Sequence, residues 1–540
     1  MTPPTTTAGS TGAPVRPRPA PSRPRGGPAA VAGLARVEAL RLLRHPAVLA
    51  ATALYAAFWL YDLVTGDAAN RFPVLHDESW SLHLPMLLVA AGVLLAANQG
   101  ALRAHRNGTE SLFEVLTVDR ARRTSAHLLA VLPAALLALL LTVVRIAYLA
   151  GRPGAAGEIR PWDLAAGPLC VLLAGVVGVL LAVLATSAAV APMAVVGLGV
   201  LTFAGALNTG AGWRWLGLVA LEDQNAASLP VVLTDRPAAW HVLWLTALAL
   251  LLSAAAVLRT GGRGPWVTAV TAVALAGTLT AGVVQTGGVS TEVADRKAEF
   301  TTHPAAHQTC EVDGNLTLCA FPDFEAWRSE WRAVGAGVLR ETPATVAAAP
   351  YAVRQRVFPQ GNGSSGVAAP LADWARDDAA AGLTAAVTVG TDWSDGAAAG
   401  DRQGDAVAEF ATAFAYRVVT GGVPDQPKLS MVCGSRAVLV LALAGRATPG
   451  TKEALQSVRD RTFGGLSFPL LGSSSGLSFE PRAAKLAFTL VNRPTGGGAP
   501  AIAANWAELS APGTSVDRAA ELLGVPAPAA LAEGEQVAGC

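Results

Sequence analysis

Seven stretches of this chain are apolar for long enough to cross a bilayer as helix, and they follow one another between residues 47 and 286. A bilayer core takes roughly 20 such residues. The stretches run at about 47–65, 82–101, 126–149, 164–186, 189–207, 239–258 and 266–286. None shows the polar face at helical period that a surface helix of a water-soluble core carries. Leu, Ala, Val and Gly dominate them, and the small residues let helices approach closely in lipid. The whole chain agrees: 52% of its 540 residues are hydrophobic, 15% are charged and the mean hydropathy is +0.41. The expectation is a mostly α, multi-pass bundle in the cell membrane over 31–286, with the lipid bilayer as its first partner. The fourth and fifth stretches are parted only by Thr186–Ser187. Two helices with a tight turn suit that break better than one helix from 164 to 207.

Residues 1–30 are rich in Pro, Thr, Gly and Ala, with Arg16, Arg18, Arg23 and Arg25. They have little to bury and are expected to be a disordered tail. No apolar core follows at signal-peptide distance, so the stretch from Ala47 reads as an uncleaved anchor. With the N-terminus in the cytoplasm, inside loops carry Arg36, Arg41, Arg44, Arg103, Arg106, Arg120, Arg122, Arg123, Arg259 and Arg263. Outside loops carry Arg71, Arg152, Arg160, Arg214 and Arg236. That excess fits the positive-inside rule, and seven spans then carry residues 287–540 outside. Inside the spans, Asp62, His127 and Arg145 stand out. Each sits near a helix end, where a long side chain reaches the interface, or Asp62 and Arg145 belong to a pathway or gate. No buried Asp/Glu/His relay of a proton-driven pump is read in any span. The net charge of +1 offers nothing for nucleic acid to bind.

Between the second and third stretches lies Arg103-Ala-His-Arg-Asn107-Gly108-Thr109-Glu110-Ser-Leu112-Phe113-Glu-Val-Leu116-Thr-Val-Asp119-Arg120. Asn107 with Glu110 three residues later has the form of a capping box. Leu112, Phe113 and Leu116 fall on one face of a short helix. Such an element is an interfacial anchor or a docking element for a cytoplasmic partner. The run resembles the coupling segment of ABC-2-type exporter permeases. Leu34–Arg44 resembles the N-terminal interface helix of that family. The loop from Asn208 to Trp240, with Trp213-Arg-Trp-Leu-Gly-Leu, resembles its short re-entrant helices. The likeness covers about 31–260. The seventh span and the outside domain depart from the six-span pattern and resemble actinobacterial-type permeases with an appended extracytoplasmic domain.

The resemblance implies a permease half in a homo- or heterodimer, coupled through Asn107–Leu116 to an ABC ATP-binding subunit. ATP and Mg are then bound by that subunit, with no cofactor in this chain. Lys297, Lys428, Lys452 and Lys485 are the lysines, and none follows Gly, so the chain has no phosphate-holding Gly-Lys-Ser/Thr loop. The alternative is a membrane-anchored extracytoplasmic sensor or ligand-binding protein without an ATPase.

Residues 287–540 read as a mixed α/β, helix-rich domain. Phe324, Trp327, Trp331 and Val334 have helical spacing and suit a core. Val353–Phe358 and Ala385–Val389 resemble strands, while Ala406–Val419, Lys452–Arg461 and Ser515–Leu523 resemble helices. Val438–Ala444 is a buried strand or helix, flanked too closely by Arg436 and Arg446 to span. Cys310 and Cys319 flank an Asp313-Gly-Asn315 turn that lets a hairpin close a disulfide; reduced thiols or a metal pair are the other readings. Cys433 and Cys540 have no local signal for pairing. Asp373, Asp377, Asp378, Asp392 and Asp395 read as a solvated loop, and Gly472-Ser-Ser-Ser-Gly476 as a flexible one. No His follows His307, which leaves a His-based zinc site or Ser-His-Asp triad without partners, and the chain is not expected to be an enzyme.

Overall fold

The computed structural model describes residues 27–65, 71–109, 118–207, 212–220, 228–288, 290–358, 366–393, 405–462, 465–493, 499–529 and 540. The membrane half consists of α1 (Pro28–Leu43), α2 (Pro46–Thr65), α3 (Leu75–Ser81), α4 (His83–Arg106), α5 (Arg120–Leu129), α6 (Leu132–Ala150), α7 (Pro161–Leu184), α8 (Val190–Ala206), α9 (Ala238–Arg259) and α10 (Pro265–Gln285). Among the described residues, six helical segments are long and apolar enough to cross a membrane: α2, α3–α4, α5–α6, α7, α9 and α10. The stretch expected at 189–207 is the shorter apolar α8, of 17 residues. The break at Thr186–Ser187 is real, and α7 and α8 are separate helices.

Packing in the bundle rests on small residues and a few polar groups. A Cβ on Gly178 of α7 would come within 2.4 Å of the Leu94 carbonyl of α4, so only Gly permits this approach. There the buried Asn98 Nδ2 donates to the Gly178 carbonyl at 3.1 Å. In a medium without water such a bond offsets the cost of a polar group that has nowhere else to bond.

The two ends of the bundle differ. At one end Glu38, Arg103, Arg123, Thr186 and Arg259 share a cleft. At the other, Val74 bridges Ala156, His76 Nε2 meets the Leu229 carbonyl at 2.8 Å and Arg236 pairs with Asp77 at 2.6 Å. Helix α8 begins beside Thr186 at the first end and finishes with Gly205 facing Arg214 near the second. It therefore runs the length of the bundle in spite of its shortness.

The C-terminal domain contains α11 (Thr291–Thr302), α12 (Arg328–Leu339), α13 (Leu371–Ala380), α14 (Asp405–Thr420), α15 (Gly434–Arg446), α16 (Pro449–Arg461), α17 (Pro481–Val491) and α18 (Val516–Leu522), with smaller turns between them. Strands β1 (Thr309–Asp313), β2 (Leu316–Ala320), β3 (Tyr351–Gln355) and β4 (Val387–Val389) form one sheet in that order. The β1–β2 pair is an antiparallel hairpin, and β2–β3 and β3–β4 are parallel. Helices α12 and α13 make the crossovers that parallel pairing requires. A second sheet has β5 (Leu429–Val432), β7 (Gly476–Phe479) and β6 (Leu466–Pro469) in that order. The run Val438–Ala444 is buried all round within α15, as expected of a helix at the centre of a core. Phe324, Trp327, Trp331 and Val334 are buried as their spacing suggests, with α12 preceded by a 3₁₀ turn over Pro322–Trp327. Cys310 and Cys319 face each other in register and are bonded. Cys433 and Cys540 are bonded too, across a separation of 107 residues that leaves no local trace in the sequence.

Two expectations are corrected. Asp373, Asp377 and Asp378 lie on helix α13, not in a solvated loop. Asp377 and Asp378 meet Arg354 and Arg356 in a buried network, with Arg354 Nη1–Asp377 at 2.8 Å and Arg356 Nη2–Asp378 at 2.6 Å. Asp395 lies outside the described residues. The 472–476 segment is no loose loop. Ser473 and Ser475 are buried, and the turn joins β6 to β7.

The domain is built onto the second end of the bundle. Val74, Ala156 and Leu233, from three separate loops, belong to the same hydrophobic core as the domain's sheet and helices. Asp323 ties two of these loops: its Oδ2 accepts from Val231 N–H and its carbonyl from Gly157 N–H, both at 2.6 Å. Trp327 Nε1 donates to the Gly154 carbonyl at 2.8 Å. Asp323→Ala removes the acceptor of the Val231 amide at a cost of about 1–3 kcal/mol. The expected outcome is a lower thermal unfolding midpoint and faster hydrogen exchange at Val231. An unchanged exchange rate there would show that the bond carries no load.

Candidate functional site

The first end of the bundle holds the candidate site, a cleft of about 770 Å³ between α1, α4, α5, α7 and α9. Its sequence origin is simple. Helices α1, α4 and α9 end there with a basic residue in or just after the last turn and α5 begins there with one, while α7 contributes only Val179, Ala182, Val183 and the following Thr186. Arg41, Arg103, Arg120, Arg123 and Arg259 line the cleft with His105 and His127, and Glu38 stands against them. Glu38 is 8% exposed, on the buried stripe of α1 that also contains Ala35, Ala39 and Leu42. Its carboxylate accepts from Arg41 Nη1 at 2.8 Å and from Arg103 Nη1 at 3.2 Å. One buried carboxylate thus joins α1 to the end of α4.

Asn107, Gly108 and Thr109 open onto this cleft region directly after α4. Their role differs from the capping box expected from the sequence. Asn107 caps the C-terminus of α4, and Gly108 follows with φ +62°. Thr109 N–H bonds the Ala104 carbonyl at 3.0 Å, and Gly108 N–H bonds that of His105 at 3.1 Å. This pair of bonds is a Schellman closure, which needs the left-handed conformation Gly adopts without penalty. An Asn-Gly pair has the composition of a helix stop as much as of a start, and here Asn107 ends α4. The next helix, α5, starts at Asp119, whose Oδ1 accepts from Arg122 N–H at 2.8 Å. Glu110, Leu112, Phe113 and Leu116 lie outside the described residues.

The structure brings Asp62 and Arg145 together. Arg145 Nη2 lies 3.7 Å from Asp62 Oδ2, and its guanidinium lies 5.8 Å from the Trp59 ring. Both are at the end of the bundle nearer the C-terminal domain. Asp62 also lines an apolar groove of about 600 Å³ formed by Phe58 of α2, the Leu84–Leu94 part of α4 and the Val195–Thr202 part of α8. Cys310 and Cys319 belong to the far domain and take no part in either cleft.

Two histidines escaped the sequence reading. His83 and His241 are buried, at 2% and 1% exposure, where α4 and α9 begin. His83 Nε2 contacts the Asp163 carbonyl at 2.6 Å, and His241 Nδ1 contacts Gln285 Oε1 at 3.3 Å. Trp80, Trp215 and Trp244 pack around their rings. The only available signal was a His in the first turn of an apolar stretch.

Glu38→Ala leaves the Arg41 and Arg103 guanidiniums facing each other without a carboxylate. It is expected to lower stability by about 2 kcal/mol, read as a drop in the thermal unfolding midpoint of the full chain. Glu38→Gln keeps part of the bonding and is expected to fall between the two. Equal midpoints for all three chains would contradict the role of Glu38.

Comparison with known protein families, with curated proteins and with solved structures gives no match to this chain.

Proposed function

We propose that this chain is the membrane-spanning permease subunit of an ATP-driven exporter. Two such halves form one translocation path, and a separate ABC ATP-binding subunit docks at the basic cleft through Asn107–Leu116. The observation that carries this reading is the cleft itself. A strongly basic surface stands at one end of an apolar bundle, and the Asn107–Thr109 turn that ends α4 lies beside it. Glu38 ties α1 to α4 at that point, so a push on the segment after α4 reaches two helices at once.

The proposed topology has seven crossings. Helix α8 has 17 residues, roughly 26 Å at 1.5 Å per residue, near the lower limit for a span. Its two ends lie at the two ends of the bundle, which favours counting it. The N-terminus and the basic cleft are then cytoplasmic by the excess of Arg, and residues 287–540 are extracytoplasmic. Two disulfides in that domain suit an oxidising compartment. The apolar groove by Asp62 suits a hydrophobic or amphiphilic substrate, or the apolar face of the second half.

The test is affinity purification of the full chain from its native membrane, with ATP hydrolysis of the co-purifying ATP-binding subunit as readout. Glu110→Ala and Phe113→Ala together are expected to reduce stimulated hydrolysis by about tenfold or more, with the thermal midpoint of the permease unchanged. Absence of any ATP-binding subunit, or full stimulation in the double variant, would sink the proposal.

A further inference from the structure

The cations of the basic cleft exceed the carboxylates that could balance them. Arg41 of α1, Arg103 of α4, Arg120 and Arg123 of α5 and Arg259 of α9 line one cavity of about 770 Å³. An Arg that only reaches the membrane surface from a helix end can turn outward to the headgroups. These five, from four helices, converge on a common space. Over this whole end of the bundle, ten Arg stand against four carboxylates, Glu38, Glu110, Glu114 and Asp119. The excess is positive whichever of them pair.

The bonds inside the cleft leave that charge available. Glu38 is one carboxylate shared by two guanidiniums. Arg41 Nη1 donates to its Oε1 at 2.8 Å, and Arg103 Nη1 lies 3.2 Å from both of its oxygens. Each guanidinium carries five N–H donors in a planar fork, so most of those on Arg41 and Arg103 remain uncommitted among the described residues. Arg259 is exposed at the end of α9 and makes no ion pair among the described residues. All five cations are Arg, whose fork meets phosphate oxygens two at a time.

A second part of the lining is apolar. Leu34 of α1, Leu102 of α4 and Val179, Ala182 and Val183 of α7 border the same cavity. Its depth is also defined. Helices α4 and α9 belong to segments of membrane-spanning length, and their apolar runs stop at Leu102 and Leu258, each followed directly by an Arg that lines the cleft. Beyond the end of the apolar run lies the headgroup layer. Basic pockets between helices at that level suit anionic headgroups, and the apolar border suits the chains attached to them.

We propose that the basic cleft holds one anionic phospholipid, with its phosphate against Arg41, Arg103 and Arg259 and the start of its acyl chains along Leu102, Val179 and Ala182. The volume lies in the range of small-molecule sites. The bound lipid neutralises part of the excess charge and links α1, α4, α7 and α9 at this end. The site belongs to this chain alone and needs no ATPase, so its test is separate from that of the permease reading.

The full chain, purified in a neutral detergent, is titrated with dioctanoyl phosphatidylglycerol, and bound lipid is counted by native mass spectrometry. One saturable adduct per chain is expected. Dioctanoyl phosphatidylcholine, with the same chains and no net charge, should bind about tenfold less tightly. Inorganic phosphate at equal concentration should not displace the lipid. Arg259→Gln removes a charge that the fold does not pair, and Ala182→Phe fills the apolar border at unchanged charge. Each should weaken binding about tenfold, and Arg259→Lys should recover part of the loss. Arg263→Gln, at an exposed position of the same end that does not line the cleft, should bind as the parent does. Equal binding of the two lipids, displacement by inorganic phosphate, an equal loss in Arg263→Gln, or undiminished binding in Arg259→Gln or in Ala182→Phe would overturn the proposal.

Discussion

Asp323 and Trp327 hold the C-terminal domain to the bundle by bonds that reach three separate backbone groups, at Val231, Gly157 and Gly154. Much of the remaining architecture depends on that closure. Val74, Ala156 and Leu233 leave three different loops to enter the domain's own core. The loops could not enter a single core unless they emerged at one end of the bundle. The closure therefore fixes the direction of α2, α6 and α9, and with them the path of α8. It also makes the domain part of the bundle's end rather than a tethered appendage. Any rearrangement of the helices there must move the domain or break its core.

The opposite end is organised by charge. Arg41, Arg103, Arg120, Arg123 and Arg259 from four of its helices gather there around the buried Glu38 carboxylate, and a cleft remains between them. On the proposed reading the two ends share the work of an exporter: the basic end receives the ATPase, and the closed end controls release. His83 and His241 are buried near that closed end, among the rings of Trp80, Trp215 and Trp244.

Much of this was legible in the chain because apolar length is a strong signal. The six long helices fall where the hydropathy puts them, and the helices at 405–420, 449–461 and 516–522 follow from their periodicity. The Cys310–Cys319 bridge was readable because a tight turn separates the two residues. What escaped was nonlocal or ambiguous in period. Cys433 and Cys540 are brought together only by the tertiary fold. The Asp373–Asp378 run reads as solvated because its partners, Arg354 on β3 and Arg356 just after it, lie some twenty residues earlier. Asn107-Gly108 could begin a helix or end one, and the intrahelical bonds of α4 decided the matter. In the candidate site, the basic residues were visible individually, but the joining of α1 to α4 through Glu38 was not.

The central claim is that the basic cleft and the C-terminal domain face opposite sides of the membrane. Cysteine accessibility tests it most directly, since the native cysteines are either bonded or, at Cys170, buried. Arg106→Cys marks the cleft end and Ser329→Cys marks the domain; both positions are exposed. With a membrane-impermeant maleimide, the account predicts that Ser329→Cys reacts in intact cells and Arg106→Cys reacts only in inverted vesicles. Reaction of both from the same side would contradict it.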